Sequence, residues 1–65
     1  MARVITVYYG KFPAISHPVY AEARDESGLA IYADAFHTQE EMRGFMRRLF
    51  YNDFVLFKRM RGAKR

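Results

Sequence analysis

The chain has 65 residues, with 11 Lys plus Arg against 7 Asp plus Glu and a formal charge of +4 at pH 7. Half of it is apolar (51%), with six Phe, five Tyr, no Trp and no Cys. These counts exclude a second hydrophobic core, a disulfide scaffold and a thiolate-bound metal, and they disfavour intrinsic disorder, which needs few aromatics and low hydrophobicity.

The elements follow in chain order. Arg3 to Tyr9 is β-branched and aromatic, and reads as a strand that breaks at Gly10. Gly10 to Pro18 contains Gly, two Pro, Ser and His and reads as a loop, with Phe12 and Ile15 expected to tuck back onto the core. Val19–Arg24 and Leu29–Phe36 alternate with a period of two around Asp25-Glu26-Ser27-Gly28, the signature of a hairpin. Its inner face is expected to be small, formed by Ala21, Ala23, Ala33 and Ala35, so that a helix can approach closely. Tyr20, Glu22, Arg24, Tyr32 and Asp34, with Tyr8 of the first strand, would then lie on the opposite, open face.

Thr38-Gln39-Glu40-Glu41 fits a capping box, with Glu41 reaching back to the Thr38 amide. Met42, Phe45, Met46, Leu49 and Phe50 form an apolar stripe of period 3.6, so a helix runs from there to about Tyr51. Arg43, Arg47 and Arg48 fall off that stripe. Phe54 to Lys58 reads as a last strand. The expected fold is α+β, a small antiparallel-type sheet of about four strands in the order β-β-β-α-β with one helix on one face. It forms a single domain over residues 1–58, followed by a basic tail at 59–65. No run approaches the ~18 apolar residues of a membrane span, and the N-terminus lacks the apolar segment of a signal peptide. A cytoplasmic location, away from membranes, is therefore expected.

No residue pattern points to catalysis. Ser16 and Ser27 are the serine hydroxyls, and His17 and His37 flank loops without a recognised catalytic or zinc spacing. The pair Glu40 and Glu41 is accounted for by helix capping. The chain reads as a non-enzyme with no cofactor or metal. Gly44, inside the helix, reads as close packing or simple tolerance, or else as a point of close approach by a partner.

Two surface features carry a functional reading. Tyr8, Tyr20 and Tyr32 on an open sheet face can be cross-strand pairs that stabilise the sheet, a platform for stacked bases, or the centre of a protein interface. Glu22 and Asp34 beside them would repel a phosphate backbone. The basic residues Arg43, Arg47, Arg48, Lys58, Arg59, Arg61, Lys64 and Arg65 form either a solvated face and tail, a footprint for phosphate, or a match for an acidic protein groove. Phe54 to Phe57 offers an apolar edge for strand addition by a partner or a second copy.

A three-stranded sheet followed by a Thr-capped helix is similar to the small arm-binding domains of phage-type integrases. Those domains present basic residues where this hairpin has Tyr20, Glu22, Tyr32 and Asp34, and no diagnostic motif assigns a family. The expectation is a non-catalytic binding protein, a regulator or inhibitor encoded by a phage or other mobile element, that docks on a larger protein or nucleoprotein complex. Its binding residues would be Tyr8, Tyr20, Tyr32, Arg24 and the basic residues named above. Direct DNA or RNA binding by the helix arginines and tail is the alternative, and a homodimer is a third possibility.

Overall fold

The computed structural model describes residues 2–12 and 15–60. Strands β1 (Val4–Lys11), β2 (Val19–Arg24), β3 (Ala30–Phe36) and β4 (Phe54–Arg59) form one sheet in the order β3-β2-β1-β4, with helix α1 (Gln39–Leu49) between β3 and β4 in sequence. The β1–β2 and β2–β3 pairs are antiparallel and β4 runs parallel to β1, so the sheet is mixed and the fold is α+β. Among the described residues, no helix is long and apolar enough to cross a membrane. Arg59 belongs to β4 rather than to the tail. Arg61, Lys64 and Arg65 lie outside the described residues.

The first strand does not break at Gly10, which pairs with Tyr20 and lies beneath the Met60 side chain. Phe12 and Ile15 do not reach the core; both are exposed, and the Phe12 ring meets Tyr20 edge-on at 6.5 Å. The hairpin turn is built by the Asp25 carboxylate, which accepts from Ser27 N at 2.9 Å, Ser27 Oγ at 2.7 Å and Leu29 N at 3.1 Å. Gly28 has φ 91°, a left-handed conformation that costs glycine little.

The core contains Ile5, Val7, Val19, Ala21, Ala23, Phe36, Met42, Met46 and Phe50. Registers Ala21↔Asp34, Ala23↔Tyr32 and Val19↔Phe36 put Tyr32, Asp34 and Phe36 on the helix side of β3. Ala33 and Ala35 pair with Glu22 and Tyr20 on the other face. The alternation within β3 is as expected, but the strand presents its larger side to the helix. Burying Phe36 removes more apolar surface from water than burying two alanines, at roughly 25 cal/mol per Å². A β-bulge between Ala23 and Arg24 accommodates an extra residue, and Ile31 packs against the core there. Ala21 and Ala23 remain the small floor on which α1 rests. Ile5 and Val7 of β1 are buried in the same cluster as Met42 and Met46 of the helix, while Arg43 and Arg47 lie over Tyr9 of β1 and Phe57 of β4.

Thr38 caps α1 by accepting from Glu41 N at 3.0 Å. Glu41 does reach back, but to His37 N at 3.1 Å, one residue before the expected amide. The acidic first turn and basic last turn both suit the helix dipole.

Candidate docking surface

On the helix side of β1 and β4, two arginines lie over aromatic rings. The Arg43 guanidinium sits 5.7 Å from the Tyr9 ring centroid and 5.3 Å from that of Phe57. Arg47 lies 5.3 Å from Phe57 as well. Such contacts contribute about 0.5–1 kcal/mol each at exposed sites. Arg43 Nη2 also donates to the Tyr9 hydroxyl at 3.4 Å, while its buried Nε has no partner among the described residues. Arg59 follows Phe57 by two residues and shares its face of the sheet. Three cationic side chains thus gather on the flank of β4.

No acidic side chain pairs with them among the described residues. The ion pairs among the described residues are Arg3–Asp53 at 3.1 Å and Arg24–Glu22 at 2.6 Å, and His37 Nδ1 lies 3.4 Å from Glu41 Oε1. Arg43, Arg47, Arg48, Lys58 and Arg59 appear in none of them. The sequence explains why: residues 43–65 hold eight of the 11 basic residues and, in Asp53, one of the 7 acidic ones. Asp53 is already engaged, and its hydrogen bond from Arg3 holds its carboxyl below the ordinary value of 3.8.

No helix covers the other face of the sheet among the described residues; Phe12 and Met60 lie over its Gly10–Tyr20 end. Tyr8, Tyr20, Glu22, Arg24 and Lys58 lie on it, and Tyr8 and Tyr20 are half-buried among their neighbours. Its most exposed apolar side chains are on β4, where Phe54 is 61% and Leu56 43% accessible. Arg24 is spent internally, donating to Glu22 Oε2 at 2.6 Å and to the Gly28 carbonyl at 2.6 Å. Glu22 is therefore neutralised, and the face is less acidic than the sequence suggested.

Tyr32 does not belong to this face. It stacks on Phe45 of the helix with centroids 5.6 Å apart, and its hydroxyl donates to Asp34 at 3.2 Å. Burial, and then the Asp34 bond, raise its phenol above the usual 10.0. The sequence pattern puts Tyr32 on the open face only if the alanine side of β3 is the inner one, and the β2–β3 register reverses that facing. Asp34 goes with Tyr32 to the helix side.

The two edges of the sheet differ. Phe54 N donates to Arg3 O at 2.7 Å and Met60 N to Tyr9 O at 2.7 Å. In a parallel ladder this phase turns the amides and carbonyls of Phe54, Leu56 and Lys58 inward, and those of Val55, Phe57 and Arg59 to the free edge. On β3, by contrast, the Ala35 N–H already donates to Asp34 Oδ1 at 2.8 Å, so a side chain fills part of that edge.

The structure also brings together His17 and His37, which lie far apart in sequence. Their rings are 4.2 Å apart, with Ser16 Oγ 3.1 Å from His17 Nδ1. Among the described residues no group of three or more His, Cys, Asp or Glu side chains is placed to hold a metal ion.

Fold and surfaces together define a small α+β domain in which, among the described residues, one sheet face carries no helix and the β4 edge is open. No protein-family model matches the chain, and neither the curated proteins nor the solved structures contain a match to it.

Proposed function

We propose that this chain is a non-catalytic binding protein that docks on a larger protein or nucleoprotein complex through the β4 side of its sheet. A regulator or inhibitor that works by occupying a surface fits a domain of this size. The observation that carries the reading is that cations without an acidic partner among the described residues lie beside an exposed apolar strand. Phe54 and Leu56 are exposed on one side of β4, while Arg47 and Arg59 flank the other. Interface centres use a few such aromatic and arginine anchors, surrounded by contacts of little energy.

The charge segregation also favours a second reading, direct binding of DNA or RNA by the same basic half. Phosphate binding depends steeply on salt, with log K falling by about 0.9 per neutralised phosphate against log salt on duplex DNA. One experiment separates the two. Tagged protein is used to capture partners at physiological salt, with and without nuclease, beside the double variant Phe54→Ala, Leu56→Ala. The proposal expects a discrete protein that survives nuclease and is lost with the variant. Capture that disappears with nuclease and is indifferent to Phe54 and Leu56 favours the nucleic-acid reading and overturns this one.

A further inference from the structure

The open edge of β4 defines the partner's chemistry more narrowly, an inference that rests on the protein-docking reading. We infer that β4 accepts an extended segment of another protein as a fifth strand, and that this segment alternates acidic and apolar residues. The backbone supplies the first half of the argument. Val55, Phe57 and Arg59 turn their amides and carbonyls outward, with no proline between Phe54 and Arg59 to interrupt the ladder. Strand addition satisfies such groups with main-chain bonds, while alternate side chains provide specificity.

The side chains supply the second half. A strand laid along β4 directs alternate residues to opposite faces of the sheet. Those on the helix side meet Arg47, lying over the Phe57 ring, and Arg59 beyond it. No acidic side chain pairs with either arginine among the described residues, so Asp or Glu fits there. Residues on the other side meet Phe54 and Leu56, 61% and 43% exposed, where aliphatic side chains fit.

A second copy of this chain is a poorer occupant. Its own β4 would bring Lys58, Arg59 and Arg47 against the same cations, and like charges across a strand pair are destabilising. Its β3 carries Asp34 on the Ala35 amide.

The probe is a short fluorescein-labelled peptide alternating Glu and Val, titrated by anisotropy against the intact protein. Two versions carry N-methyl groups, one on all Glu amides and one on all Val amides. A third replaces Glu by Lys, and a single-stranded oligonucleotide of equal charge serves as the nucleic-acid arm. Because a strand bonds its neighbour through alternate residues, one methylated set should abolish binding and the other change it by less than about threefold. The double variant Arg47→Ala, Arg59→Ala should weaken binding roughly tenfold, the size expected for two exposed ion pairs. Equal effects of the two methylated sets, binding of the Lys peptide, no binding of the parent peptide, or tighter binding of the oligonucleotide would each overturn the inference. If a nuclease-resistant partner is captured while the peptide fails, strand addition falls and the docking reading stands.

Discussion

Gly44 shows what a single residue can report. Among the described residues, a methyl group added there would meet the Arg48 guanidinium at 3.6 Å, the flexible end of a long side chain. Internal packing therefore does not require a glycine at this position. Glycine inside a helix costs about 1 kcal/mol relative to alanine. Gly44→Ala should stabilise the fold by about that amount, raising the thermal midpoint by about 4–8 °C in a domain of this size. A midpoint that stays put or falls would reveal a packing constraint not visible at Gly44. Arg43 is the contrasting case. The sequence marks it as a surface cation, whereas the fold lays it over Tyr9 and Phe57 as a lid on the β1–β4 half of the core. A guanidinium does this well because its flat, weakly hydrated face stacks on rings while its edges stay polar.

At the scale of elements, strands and helix were legible because each has its own periodicity and punctuation. Val19–Arg24 appears with the limits read from its alternation, and Thr38 caps the helix as its position before Glu41 suggests. The face of β3 was not legible. A period of two says which residues share a side, but the side that meets the helix depends on cross-strand register and the bulge opposite Ala23. Tyr32 and the two alanines Ala33 and Ala35 changed places for that reason. The facing makes a paired prediction. Ala21→Leu forces bulk beneath the helix and should cost about 1–3 kcal/mol, whereas Ala33→Thr on the exposed side should stay within about 0.5 kcal/mol. Urea denaturation of both variants measures this, and comparable losses would mean that all four alanines lie under the helix after all. The open edge of β4 was only half visible. Its apolar run was plain, but that its outward groups belong to Val55, Phe57 and Arg59 follows from parallel pairing with β1.

For the molecule as a whole, the decisive property is asymmetry. The β2–β3 half holds the turn acids, while the β4 side gathers helix and strand cations without an acidic partner among the described residues, exposed Phe54 and Leu56, and the open ladder. A domain this small has little spare stability, since it buries only about 60% of its unfolded surface. Leaving an apolar strand uncovered is therefore a cost that a partner would offset. Amide hydrogen exchange, followed by NMR on the free protein and on its complex with the captured partner, reads the ladder directly. In the free protein the amides of Leu56 and Lys58 should exchange slowly and those of Val55, Phe57 and Arg59 fast. On binding, the latter three should become protected, while Ala33 on the far edge is unchanged. Protection confined to β3, or a complex in which Val55, Phe57 and Arg59 still exchange as fast as in the free protein, would contradict docking at β4.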